Sequence, residues 1–146
     1  MVKAVDAMEY QSTSKLVAIV DDDDLILNSI ADLLMSAGIE SRTFASAEEF
    51  LASSELHEVA CLVTDIRMSG MTGLELQRKL TASHRWIPII FITALADTQL
   101  RAQALRGGAV EFLLKPIDDG VLLSSVQAAL KCVSSARGPR GRAKCL

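Results

Sequence analysis

The chain has little cysteine, no long apolar run and no glycine-rich loop near its start, and each shortage removes a class of protein. Its three cysteines, Cys61, Cys132 and Cys145, stand far apart. Without CxxC spacing they make neither a zinc site nor a disulfide framework. Free thiols fit a reducing cytoplasm. Met1 to Ser14 lacks the apolar h-region of a signal peptide. No apolar run approaches the roughly 18 residues that a membrane span needs. Basic charge is scarce in the body of the chain. The formal net charge is −3, from 15 basic and 18 acidic residues. Lys131, Arg137, Arg140, Arg142 and Lys144 all fall in residues 131–146, where there is no acid. The remaining body is therefore acidic, which argues against nucleic-acid binding by it.

What is present suits one folded domain. The chain has 146 residues, 50% of them hydrophobic, enough to bury a core and to exclude disorder throughout. After a polar leader over residues 1–14, a rhythm begins. Leu16 to Val20 is a short β-branched apolar run that reads as a buried strand. Leu25, Ile26, Ile30, Leu33 and Leu34 follow at helical spacing, with Gly38 as the stop. The alternation then repeats. Strands are predicted at Ile39–Phe44, Ala60–Thr64, Ile87–Ile92 and Val110–Leu114. Between them, Ser46 with Glu49 signals a capped helix to about Ser53. Leu74, Leu76 and Leu80 mark another helix. Asp97–Arg106 is a further one, closed by Gly107 and Gly108. The last helix runs from Asp118 to about Ser134. Beyond it the basic stretch 135–146 reads as a linker or tail.

Five strands alternating with five helices imply a parallel sheet covered on both faces, with right-handed crossovers. The expected class is α/β, a (βα)5 doubly wound five-stranded parallel sheet of flavodoxin-like type. In such folds the functional crevice lies beyond the carboxyl ends of the strands. Strand one is followed by Asp21, Asp22, Asp23 and Asp24, strand three by Asp65, strand four by Thr93 and strand five by Lys115-Pro116. Clustered carboxylates repel one another. A hard cation such as Mg2+ (or Mn2+) relieves that repulsion through oxygen ligands. A carboxylate can also act as a nucleophile and form an acyl phosphate, and phosphoryl transfer rests mainly on positioning and charge stabilisation. Lys115 and the Thr93 hydroxyl are suited to phosphoryl oxygens.

The segments Val20-Asp21-Asp22-Asp23, Val63-Thr64-Asp65-Ile66-Arg67-Met68, Ile92-Thr93-Ala94 and Leu114-Lys115-Pro116 resemble the receiver domains of two-component response regulators. The similarity covers roughly residues 15–133, within an expected domain over 15–134, and the order and spacing of the motifs are specific where each alone is weak. The resemblance implies Asp65 as phosphoacceptor and Asp22 as a direct metal ligand. It implies Asp21 as a ligand acting mostly through water, and the Arg67 backbone carbonyl as a further one. Lys115, before a proline peptide that is usually cis in this family, would pair with the phosphoryl group. Thr93 would be the switch hydroxyl and Phe112 the rotating aromatic. The implied partner is a histidine kinase or phosphotransfer protein. Phosphorylation would alter the surface of helix four, strand five and helix five, which commonly mediates homodimerisation or output docking. Such a domain catalyses only its own phosphorylation and dephosphorylation. One departure stands out: many receivers, including those of nitrogen-fixation and nodulation regulators, have proline four residues after the acceptor, where this chain has Ser69. The loop should be less rigid for it.

Plainer readings exist for each feature. The Asp21–Asp24 run could be a solvated helix start, where acids favour the dipole, and Asp23 and Asp24 suit that role. Thr93, Lys115 and Phe112, taken singly, read as a strand-end hydroxyl, a surface lysine and a core aromatic. His57 and His84 fall in predicted loops, and Trp86 reads as packing at the start of strand four. An aspartyl-phosphate hydrolase similar to haloacid-dehalogenase-like phosphatases would carry its nucleophile after the first strand and its acidic pair late, the reverse of the order here. A nucleotide or flavin binder would want a Gly- or Ser/Thr-rich loop after strand one, where four aspartates would repel phosphate. A receiver-like interaction module that is not phosphorylated does not need the complete residue set.

No helix-turn-helix, cyclase or other effector pattern follows residue 134, so nucleic acid would be reached only through an effector domain outside this sequence. The expectation is a single-domain regulator or the receiver half of a longer protein. The side chains two after the acceptor and two after the switch hydroxyl, Arg67 and Leu95, flank the path of an attacking water. Leu95 cannot orient water and Arg67 is bulky, so self-dephosphorylation should be slow. Leu95→Glu is expected to shorten the lifetime of the phosphorylated chain several-fold, as general-base assistance predicts. Loss of phosphate no faster than in wild type, followed by intact mass over time, would count against this.

Overall fold

The computed structural model describes residues 15–135, with side chains to Lys131; the leader 1–14 and the tail from 136 lie outside it. Five parallel strands run through the centre: β1 Leu16–Val20, β2 Ser41–Phe44, β3 Val59–Asp65, β4 Ile89–Thr93 and β5 Glu111–Leu114. The helices are α1 Asp24–Ser36, α2 Ala47–Leu51, α3 Gly73–Ala82, α4 Thr98–Arg106 and α5 Asp119–Ser135. The strand order is β2-β1-β3-β4-β5, the flavodoxin-like doubly wound order. The chain winds outward from β1 to β2, then crosses to β3 on the other side of β1. That reversal is the switch point.

Burial follows the strand sequences. Every residue of β1, β3 and β4 is buried, which is why these runs are continuously apolar up to their last positions. The edge strands β2 and β5 are only partly covered. Alternation divides the core in two. Leu16, Ala18, Val20, Leu62, Phe91 and Phe112 face α2, α3 and α4, against Phe50, Leu74, Leu76, Leu80 and Ala104. Val17, Ile19, Cys61, Val63, Ile90 and Ile92 face α1 and α5, against Leu27, Ile30, Leu34, Leu122, Val126 and Leu130. Burial pushes the Cys61 thiol up to about 12, so it behaves as a small apolar side chain.

Several boundaries differ from the sequence expectation for identifiable reasons. β2 begins at Ser41, not Ile39, because the Ile39 N–H is used by the carbonyl of Leu34 to close α1. β4 begins at Ile89, after Pro88, which has no N–H to donate. Trp86 therefore precedes the strand and is half-buried. β3 gains Val59 and Asp65, and Asp65 pairs with Ile92. β5 starts one residue later than expected, at Glu111, and α2 stops at Leu51. A 3-10 turn at Leu56–Glu58 was not expected; it carries His57, which contacts Arg85 at 3.0 Å. Leu25 is not on the inner stripe of α1 but 78% exposed, and the stripe is Leu27, Ile30 and Leu34. Among the described residues no helix is long and apolar enough to cross a membrane.

Caps fix where the helices begin. Asp23 caps α1 by accepting the Leu25 N–H, and Asp97 caps α4. Ser46 accepts from the Glu49 N–H, but the Glu49 carboxylate takes the N–H of Ala45, so the box is not closed on the cap itself. A reciprocal box instead forms between Thr72 and Glu75 at α3. Caps of this kind contribute about 1 kcal/mol each.

Gly73, the first residue of α3, passes directly beneath the end of β3. Its N–H donates to the Ile66 carbonyl at 2.9 Å. A Cβ there would overlap the Asp65 carbonyl oxygen and stand 3.0 Å from the Ile66 Cα, both backbone atoms that cannot swing aside. Gly73→Ala is expected to destabilise the fold by about 1–3 kcal/mol, read by urea unfolding. A gain in stability, as helix propensity alone predicts, would contradict this packing.

Candidate functional site

Register brings the site together before any side chain is considered. Val20 pairs with Thr64, so Asp21 and Asp65, one step further along, stand side by side at the switch point. Asp65 pairs with Ile92, and Thr93 pairs with Leu114. Thr93 and Lys115 are each one step beyond these partners, and the Lys115 N–H donates to the Thr93 carbonyl at 2.8 Å. The peptide between Lys115 and Pro116 is cis.

The Lys115 ammonium donates to Asp21 Oδ2 and to Asp65 Oδ2, both at 3.0 Å. Asp21 and Thr93 are fully buried and Asp65 nearly so. The second Asp21 oxygen accepts the Asp23 N–H at 2.9 Å, and the second Asp65 oxygen accepts the Arg67 N–H at 3.2 Å. Asp22 is exposed, and its Oδ2 accepts from the Ser69 N–H at 3.2 Å and the Ser69 hydroxyl at 3.5 Å. Carboxylate oxygens of Asp21, Asp22 and Asp65 lie within 4.8 Å of one another. This all-oxygen donor set suits a hard divalent cation such as Mg2+ and offers nothing to a metal that prefers sulfur or nitrogen.

The remaining expected residues sit around this cluster in different ways. Thr93 is the last residue of β4, not the first beyond it, and its hydroxyl accepts the Leu95 N–H at 3.2 Å. Leu95 is half-buried and Arg67 exposed. Phe112 is buried on the α4 face of the sheet and borders a cavity of about 230 Å³ with Ala96, Asp97, Thr98, Arg101 and Leu114. Two further residues shape the site: Glu48, which the sequence did not single out, and Ser69, which stood out only as the replacement of a proline. Glu48 on α2 accepts the Met71 N–H at 3.0 Å, and Ser69 bonds Asp22. Glu48 had a sufficient explanation as an acid in a first helical turn, and nothing in the sequence sets it opposite Met71.

Burial and charge both act on Asp21 and Lys115. Burial pushes the Asp21 carboxyl above its ordinary range and the neighbouring Asp65 adds to this, against the Asp23 N–H and Lys115. Burial pulls the Lys115 ammonium down, but its hydrogen bonds to Asp65 and Asp21 outweigh that and raise it overall. The arrangement holds two carboxylates against one ammonium at the carboxyl edge of the sheet. A carboxylate oxygen here can meet an electrophile, and the Lys115 ammonium can offset charge on an anion beside it.

A flavodoxin-like domain with an acidic, lysine-bridged edge at its switch point is the class that fold and site define. Residues 17–127 match the response regulator receiver domain, and the chain belongs to that family. It is 42% identical over 118 residues to nodulation protein W of Bradyrhizobium diazoefficiens, covering 81% of this chain and 52% of that protein. It is 39% identical over 114 residues to the transcriptional regulatory protein FixJ of Azorhizobium caulinodans, covering 78% and 54%. The structure of the response regulator StyR superposes with a TM-score of 0.77 at 40% identity, over 88% of this chain and 63% of that one. FixJ-N superposes with a TM-score of 0.72 at 37% identity, over 80% and 93%. The chain spans about half the length of the curated relatives it matches.

The raised Asp21 pKa has a direction that stability measurements can read. A carboxyl raised in the folded state opposes folding once ionised, fully so above its folded pKa, and ceases to do so below the ordinary value of 3.8. With divalent metal chelated, Asp21→Asn is therefore expected to unfold at higher urea than wild type at pH 7. The advantage should shrink as pH falls toward 4. A variant less stable than wild type at pH 7 would show that the Lys115 pairing outweighs the burial.

Proposed function

We propose that the chain is the phosphoacceptor switch of a two-component response regulator and that Asp65 takes the phosphoryl group. One observation carries this reading: Lys115 is shared at 3.0 Å between Asp21 and Asp65, beside a third carboxylate, at the switch point of the sheet. The donor is a phosphohistidine of a histidine kinase or phosphotransfer protein. An Asp65 oxygen attacks phosphorus as the P–N bond breaks. The electron pair stays on the departing imidazole nitrogen, which leaves neutral because the other ring nitrogen carries the proton. Lys115 offsets charge gathering on the phosphoryl oxygens, a contribution of position and charge with no covalent role. Asp21, Asp22, Asp65 and the Arg67 backbone carbonyl would hold Mg2+ or Mn2+. The bound cation supplies neutralisation of the carboxylate and phosphoryl charge.

The new charge on Asp65 draws the Thr93 hydroxyl from the Leu95 N–H, and Phe112 repacks toward the cavity it borders. The surface of α4, β5 and α5 shifts between two states in response. That surface serves a homodimer or an output partner. Residues 15–134 act as the receiver, between a leader over 1–14 and a basic linker over 135–146, in the cytoplasm. Nucleic acid is reached only through an effector domain. The chain turns over no separate substrate; it catalyses its own phosphorylation and dephosphorylation, the latter slowed by Arg67 and Leu95.

Incubation with a small phosphodonor and Mg2+ is expected to add one phosphoryl mass to wild type. Asp65→Asn or chelation should abolish the gain. A gain that persists in Asp65→Asn overturns the assignment.

A further inference from the structure

Asp22 differs from the other two carboxylates of the cluster. Asp21 and Asp65 are buried and bridged by Lys115, while Asp22 is exposed. An exposed aspartate keeps its rotamer freedom unless something holds it. Among the described residues, its carboxylate is held only by Ser69, through the N–H at 3.2 Å and the hydroxyl at 3.5 Å. The hydroxyl contact is at the limit of a hydrogen bond, so the N–H carries the interaction.

That N–H is itself held in place. Two residues before it, the Arg67 N–H donates to Asp65 at 3.2 Å. Two residues after it, the Met71 N–H donates to Glu48 at 3.0 Å. Gly70 turns the chain between them with φ +79°, and a Cβ there would stand 2.9 Å from a Glu48 oxygen. The loop thus joins the Thr72–Glu75 box with fixed backbone on both sides of Ser69. Ser69 stands where many receivers carry proline, a residue with no N–H to give.

We infer that Ser69 is a positioning residue whose backbone N–H orients Asp22 for a divalent cation before the cation arrives. The inference rests on the metal reading given under the proposed function. Outer partners that fix a ligand's orientation commonly change metal affinity by tenfold or more. In this chain the serine offers the carboxylate a donor, and Glu48 supplies the loop rigidity that a proline ring would otherwise give.

The test is calorimetric titration of Mg2+ into the metal-free full chain, with folding checked by circular dichroism. Ser69→Pro is expected to weaken Kd about tenfold. Ser69→Ala keeps the N–H and should stay within about twofold of wild type. Equal or tighter binding by Ser69→Pro overturns the inference, as does an equal loss in Ser69→Ala. Asp22→Asn separates the two readings. If wild type binds no better than Asp22→Asn, the metal reading falls. If only Asp22→Asn binds weakly, the Ser69 inference alone falls. Should Ser69→Pro fail to fold, amide exchange decides. The Ser69 N–H should exchange roughly tenfold more slowly in wild type than in Asp22→Ala, and equal rates overturn the inference.

Discussion

The structure is organised around one ammonium between two carboxylates that sheet register forces together. Asp21 and Asp65 stand at the ends of adjacent strands and cannot separate without a slip that would turn one strand's side chains to the opposite faces. At an effective dielectric of about 20, two such charges some 4–5 Å apart repel by roughly 3–4 kcal/mol. Lys115, delivered from the end of β5 on the far side of β4, offsets that repulsion from a single point. The three strand ends therefore depend on one another, and a change in charge at Asp65 is felt at β5 without any intervening rearrangement.

The rest of the fold keeps polarity confined to this edge. Among the described residues the buried polar side chains are Asp21, Thr64, Asp65, Gln77 and Thr93. All but Gln77 lie at the carboxyl ends of β1, β3 and β4, and Gln77 is satisfied by the Ala104 carbonyl at 3.0 Å. Below the edge both cores are apolar and hold the strands in register. Beside it a cavity at Phe112 leaves room on the α4 face. The scaffold is firm beneath the cluster and leaves space beside Phe112.

Much of this was legible in the sequence because the physics was local. Continuous apolar runs marked the buried strands, and the residues just after them gave Asp21, Asp22, Asp65 and Lys115 their common edge. What escaped was tertiary. Leu25 has the spacing of an inner residue, yet the inner stripe starts two positions later, because the exposed Asp22, Asp23 and Asp24 keep the start of the helix in solvent. Ile39 looks like strand but closes a helix. Glu48 and Ser69 act through backbone N–H groups brought close by folding, and such contacts leave no periodicity to detect.

The proposed role of Asp65 as phosphoacceptor can be tested by chemical marking. An acyl phosphate is reduced by borohydride to an alcohol, whereas a carboxylate is not, so reduction after phosphodonor treatment marks the acceptor permanently. Peptide mass mapping should then find homoserine in place of Asp65 and unaltered aspartate at positions 21 and 22. Unaltered aspartate at position 65, with the mark on another residue, would contradict it.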